Sequence, residues 1–242
     1  MTREESSGAS LLCLLLGVCG GLVLSLLLLL VFSMRPQWTD GLIWRYEILE
    51  PAPTLSQRVF ERRMLSHQLA QDSLVSAGAT LLFGDSHLQT VPPSALPKAH
   101  NFSMGGESAE RLAQRLPYFK SLKQASAVVL SGGTNDLLEK RSVESVTMAW
   151  SNLLTHMPAK AQVLCVGIPE PMPSALHAER IAQVNQAIQR LCISRNHIFI
   201  AVQPQLGDWL DSRLMPDGIH LDRPGQLKLL SKINAALEGR IP

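Results

Sequence analysis

The chain is poor in net charge, aromatic rings and cysteine, and each shortage excludes something. A formal charge of +2 over 242 residues provides no basic field of the kind nucleic-acid binding needs. Aromatic residues are 5% of the chain, which disfavours a long cleft lined with sugar-stacking rings. Of four cysteines, Cys13 and Cys19 fall in a leucine-rich run, leaving Cys165 and Cys192 for the remainder. Two cysteines make no disulfide framework, although they leave room for one bridge. No Cys/His spacing resembles a zinc site, and nothing in the pattern asks for a metal or a cofactor. No Gly-x-Ser-x-Gly occurs, which argues against the nucleophile elbow of the α/β-hydrolases. Internal repeats are also missing.

What the chain does have, near its start, is an uncharged apolar run over residues 10–33. At about 1.5 Å per residue a helix of that length crosses a hydrocarbon core of about 30 Å. A cleaved signal peptide would have an apolar region of about 7–15 residues and a small-residue cleavage site. This run is longer and ends in Leu-Val-Phe-Ser-Met-Arg. A lipoprotein anchor at Cys19 would want a small residue where Val18 stands. The expectation is an uncleaved transmembrane signal anchor, with Trp38 and Trp44 beyond it at the interface. Arg3 on one side and Arg35 and Arg45 on the other leave orientation nearly undetermined by charge. The short N-terminal tail favours N-in, which places the rest of the chain in the periplasm or outside the cell. The expected division is a tail at 1–9, the anchor at 10–33, a Pro/Trp-bearing stalk at 34–53 and one domain at 54–242.

Residues 54–76 have helical spacing, with Leu55, Val59, Phe60, Leu65, Leu69 and Leu74 as the apolar stripe. The chain then alternates. Apolar runs of strand length occupy 80–83, 127–130, 162–168 and 197–202, with a weaker fifth around 99–102. Amphipathic stretches at 107–122, 143–157, 175–191 and 224–237 separate or follow them. Such alternation predicts an α/β fold with a parallel sheet covered on both faces. Ligands of open parallel sheets bind at the carboxyl ends of the strands. Three polar or glycine-rich segments fall at such ends: Gly84 to His87, Ser103 to Gly106, and Ser131 to Asp136. A fourth, Met215 to His220, precedes the last helix.

Ser86 stands where a strand gives way to a helix. Read alone it is a helix cap; read chemically it is a nucleophile awaiting a base. His220 could be that base. Asp217, three residues earlier, could hold its Nδ1 and leave Nε2 as acceptor. Gly106 and Asn135 could donate to an oxyanion, or could be a turn and a helix cap.

The joint order decides between these readings. Gly84-Asp85-Ser86, Asn101 through Gly106, Gly133-Thr134-Asn135-Asp136, and Asp217 through His220 resemble, in order, the four motifs of the SGNH/GDSL hydrolases. The resemblance covers roughly residues 78–238. It implies a three-layer α/β/α sandwich with a mostly parallel five-stranded sheet, of flavodoxin-like type, and a shallow open site. It assigns Ser86 as nucleophile, His220 as general base and then acid, and Asp217 as its orienting partner. The oxyanion hole would be the backbone N–H groups of Ser86 and Gly106 with the Asn135 side chain. His87 departs from the Leu usual after Gly-Asp-Ser. It is expected to cap or pack at the helix start, with lining an acyl or sugar pocket as its other role. Gly105 is a second, minor departure.

The implied reaction is ester cleavage through an acyl-Ser86 intermediate. The substrate would be an O-acetyl group on an envelope glycan or a lipid acyl ester, the former narrowly ahead. Acyl transfer by the same residues, and an inactive scaffold that binds glycan or organises an envelope complex, are the competing readings. Asn101-Phe102-Ser103 spells a glycosylation acceptor, but its place at a strand end discounts it. His67, His100, His156, His177 and His197 have no partner pattern.

Overall fold

A computed structural model describes residues 4–34, 55–169, 178–202 and 219–240. The chain divides into two compact units, residues 1–54 and 55–242. The first holds helix α1 (Glu4–Met34). Its described side chains, Leu16 to Val31, are all exposed. Among the described residues no helix is long and apolar enough to cross a membrane. The fold therefore establishes a continuous helix over residues 10–33 but not the transmembrane anchor expected there. The expected stalk, apart from Met34, lies outside the described residues.

The second unit begins with α2 (Leu55–Asp72), followed by β1 (Thr80–Phe83), the single turn α3 (Ser86–Gln89) and β2 (Ala99–Asn101). Next come α4 (Ala109–Arg115), β3 (Ala127–Ser131), α5 (Thr134–Leu138), α6 (Val143–Thr155) and β4 (Gln162–Val166). The chain closes with α7 (Ala178–Ile193), β5 (Ile198–Ile200) and α8 (Arg223–Leu237). The five strands are all parallel, in the order β2-β1-β3-β4-β5. The expected five-stranded parallel α/β sheet is therefore present.

Side chains of a strand alternate between faces. Leu81, Phe83, Val128, Leu130, Val163 and Cys165 pack on one side with residues of α4, α6 and α7, and Leu65 and Leu69 of α2 lean on the same core. Leu82, Val129, Leu164 and Val166 pack on the other with Leu88 of α3 and with Leu229, Ile233 and Ala236 of α8. Both faces are apolar because both are covered, which is why these strands read as unbroken hydrophobic runs rather than alternating ones.

Three expectations about elements change. The helix expected over 107–122 stops at Arg115, and the 3₁₀ turns Leu116–Tyr118 and Ser121–Gln124 continue the path. Pro117 has no N–H to continue the ladder and its ring crowds the preceding turn. The strands expected at 162–168 and 197–202 end earlier, at Val166 and Ile200. There Asn185 of α7 takes over the backbone, accepting from Ile168 N–H at 2.7 Å and donating to its carbonyl at 2.9 Å. The five-residue helix α5 was not among the expected amphipathic stretches and was hinted at only by the helix-cap reading of Asn135. Residues 175–177 of the expected fourth helix lie outside the described residues.

Cys165 of β4 and Cys192 of α7 form a disulfide, with Cα atoms 6.6 Å apart and 27 residues of separation. Closing a loop of that length restricts the unfolded chain by about 3.5 kcal/mol. Cys192→Ala should therefore lower the unfolding free energy by about 3–4 kcal/mol in a denaturant titration. Reductant should reproduce the loss in the wild type and leave the variant unchanged; a midpoint indifferent to both would contradict the account.

Candidate active site

In a parallel sheet every carboxyl end lies on one edge, so the loops after β1, β2 and β3 meet there. Gly84, directly after β1, has no room for a side chain. A Cβ there would lie 2.7 Å from Ser131 Oγ and 2.9 Å from Ser131 O, at the end of β3. Asp85 follows as the N-cap of α3 and is buried. Its Oδ1 accepts from the His87 backbone N–H at 3.1 Å and the Ser131 hydroxyl at 3.0 Å, and faces His87 Nδ1 at 3.2 Å. Burial pushes the Asp85 carboxyl up. The adjacent His87 ring, with the hydrogen bonds from His87 and Ser131, outweighs this and holds it below its ordinary value.

Ser86 is the first residue of α3, at the end of a helix whose first N–H groups have no intrahelical partner. Its Oγ lies 2.8 Å from Nε2 of His220, 134 residues away in sequence. His220 comes just before α8, whose N-cap Asp222 accepts from Gly225 N–H at 2.7 Å. A neutral imidazole with Nε2 bare would accept the Ser86 proton at that distance. Asp217 lies outside the described residues.

The loop after β2 is fixed from below by Asn101. Its amide donates to the carbonyls of Leu88 and Val91, both at 2.8 Å, and its oxygen accepts from Ser103 N–H at 3.0 Å. The discounted glycosylation triplet is thus an internal brace. Met104 N–H then bonds Gly84 O at 2.8 Å, holding the loop against the end of β1. A Cβ at Gly105 would sit 3.8 Å from Ser86 Cβ, so this loop passes beside Ser86. Gly106 has φ +77°, a left-handed backbone that L side chains rarely adopt. Asn135, in the first turn of α5, donates to Glu107 O at 3.0 Å. One of its two amide hydrogens is thereby used and the amide is locked onto the Gly106–Glu107 segment. Among the described residues no group of three or more His, Cys, Asp or Glu could hold a metal ion.

Sequence reasoning missed the layer beneath this loop. Glu107 is buried and paired with buried Arg115 through Nε–Oε1 and through Nη2–Oε2 at 2.7 Å. Arg115 also donates to Phe102 O at 2.7 Å and to Gln68 Oε1 at 3.0 Å, while Gln68 donates to Ser103 O at 3.3 Å. Arg111 donates to Gly106 O at 2.6 Å and pairs with Glu61 of α2 and with Glu139. Gln57, also of α2, donates to Gly105 O at 3.3 Å. The signal was faint because Glu107 and Arg115 are eight residues apart, outside the i,i+4 spacing of helical ion pairs.

Residues 72–227 match the model of the GDSL-like lipase/acylhydrolase family. The chain belongs to that family. GDSL membership makes the coarse activity that of an ester-cleaving acylhydrolase. No curated protein sequence matches the chain significantly. Among solved structures, a lipase/acylhydrolase from Enterococcus faecalis is similar at 20% identity and TM-score 0.58, covering 67% of this chain and 96% of its own. A carbohydrate esterase family 3 protein from Talaromyces cellulolyticus is similar at 17% and 0.56, covering 68% and 98%. A carbohydrate acetylesterase from Sinorhizobium meliloti is similar at 18% and 0.54, covering 68% and 100%. At these identities the likeness shows the GDSL fold. The family match begins at Asp72, so the α2 residues that touch the Gly105–Glu107 loop, Gln57, Glu61 and Gln68, lie ahead of it.

Burial raises the Glu107 carboxyl to about 7 against the pull of Arg115. Arg115→Met removes that pull, so the folded-state value rises further while the unfolded value stays near 4.5. The variant's penalty is therefore smallest near pH 5, where Glu107 keeps its proton in the fold, and grows as pH rises. By pH 8, about one unit above the wild-type value, it should exceed the pH 5 penalty by about 1 kcal/mol, the free energy of roughly one pKa unit. Denaturant titrations of both proteins at pH 5 and pH 8 check this; a penalty that does not depend on pH would contradict it.

Proposed function

We propose that this chain is a membrane-anchored serine esterase that removes acetyl groups from an envelope glycan. The observation that carries the serine mechanism is the 2.8 Å contact between Ser86 Oγ and His220 Nε2. In the first half-reaction Ser86 Oγ bonds the ester carbonyl carbon as its proton passes to His220 Nε2. The carbonyl oxygen becomes an oxyanion held by the Ser86 and Gly106 N–H groups and by the second amide hydrogen of Asn135. Collapse breaks the bond to the sugar oxygen, which takes the proton from His220. Water then attacks the acyl-Ser86 carbonyl as His220 takes its proton; the bond to Ser86 Oγ breaks, Oγ recovers the proton from His220, and acetate leaves. Asp217, three residues before His220, is given the task of holding Nδ1 protonated.

Support for the acetyl group comes from the carbohydrate acetylesterase and carbohydrate esterase among the similar structures. The lipase/acylhydrolase likeness favours the second reading, a lipid acyl ester. For the anchor, the support is the uncharged run over residues 10–33 together with the helix that contains it. The Cys165–Cys192 disulfide supports a periplasmic or extracellular domain, because such bonds persist in oxidising compartments.

The test is to incubate the full chain in detergent with isolated envelope polysaccharide and, separately, with lysophospholipid. Acetate release from the polysaccharide that Ser86→Ala abolishes is the expected result. Fatty acid release without acetate would replace the substrate by a lipid ester, and release that survives Ser86→Ala would remove the serine mechanism.

A further inference from the structure

His87 is buried, 5% exposed, and its ring spans two parts of the fold that are distant in sequence. Nδ1 lies 3.2 Å from Asp85 Oδ1, and Nε2 lies 3.0 Å from the carbonyl oxygen of Ile219. Both partners are acceptors. A backbone carbonyl has no hydrogen to give, and the Asp85 oxygen is already receiving from the His87 N–H and the Ser131 hydroxyl. A neutral imidazole carries one N–H, so only the doubly protonated ring satisfies both contacts. The buried carboxylate at Asp85 supplies the countercharge.

The second contact has a consequence because of where it falls. Ile219 is the residue before His220, and the His87 and His220 rings lie with centroids 5.6 Å apart, tilted by 31°. A continuous set of bonds therefore runs from Ser131 through Asp85 and His87 to the Ile219 carbonyl. The next residue, His220, contacts Ser86, the neighbour of both Asp85 and His87 in sequence. We propose that His87 is a positioning residue: as an imidazolium held by Asp85, it grips the Ile219 carbonyl and so sets the backbone that presents His220 to Ser86. This rests on the serine mechanism above and deepens it. A misplaced base loses turnover far more than binding, and displacements of about 1 Å can cost about 100-fold. A leucine at this position fills the space but cannot hold the carbonyl.

The experiment compares wild type, His87→Leu and His87→Gln as full chains on a soluble acetyl ester, with thermal unfolding as a fold control. His87→Leu is expected to lose about 10- to 100-fold in kcat with KM within about twofold. His87→Gln, whose amide can still donate to Ile219 O, is expected to recover part of the loss. An unchanged kcat in folded His87→Leu overturns the proposal while leaving the serine mechanism standing. An inactive wild type would instead remove that mechanism, and a nitrogen-resolved NMR spectrum of the His87 ring then decides independently. Two protonated ring nitrogens at neutral pH are expected; a bare nitrogen there overturns the proposal, and the same spectrum decides if His87→Leu does not fold.

Discussion

A carboxylate buried at the end of a parallel strand has to have its charge and its lone pairs met inside the protein, and Asp85 meets them with three groups from two residues, Ser131 and His87. Ser131 brings the end of β3, the His87 N–H closes the first turn of α3, and the His87 ring reaches on to Ile219. Desolvation pushes the carboxyl up, and the His87 ring with these bonds outweighs it. Ser86 lies between Asp85 and His87 in sequence, so whatever fixes those two fixes the serine as well. The requirement to satisfy one buried charge thus becomes a geometric constraint on the site.

A comparable logic operates on the other flank. Glu107 and Arg115 are buried together, and Arg115 extends to the Phe102 carbonyl and to Gln68 of α2. Such a pair adds little net stability, but removing one member is costly, so it holds one arrangement against others. What it holds is the Ser103–Glu107 loop, onto which Asn135 is locked through the Glu107 carbonyl. Helix α2 adds Gln57 on the Gly105 carbonyl and Glu61 on Arg111, which in turn donates to the Gly106 carbonyl. Helix α2 is therefore part of the frame around the proposed oxyanion donors.

The sheet was legible because its strands are buried on both faces, leaving short unbroken apolar runs such as 80–83 and 127–130. The strand-end rule put Ser86, Gly106 and Asn135 at carboxyl ends of strands, the ordered motifs of the resemblance added His220, and the fold brings Ser86 and His220 into contact. What stayed hidden depends on proximity that spacing does not encode. His87 meets Ile219 across 132 residues, and Arg115 meets Gln68 across 47. Helix α5 is too short to show a period in Thr134–Leu138. The split after Arg115 could have been read from Pro117, whose ring stops a helix whatever the apolar pattern around it. For the apolar helix at the start, sequence and fold address different properties. Length and hydrophobicity argue for a membrane, whereas the coordinates establish the helix.

The central claim is that one serine, activated by one histidine, is the nucleophile. Reaction of the intact protein with a fluorophosphonate, followed by mass spectrometry of its peptides, tests it directly. The account predicts a single covalent adduct, on Ser86, whose formation slows sharply in His220→Ala. Folded protein that takes up no label, or takes it up on a different residue, would contradict it.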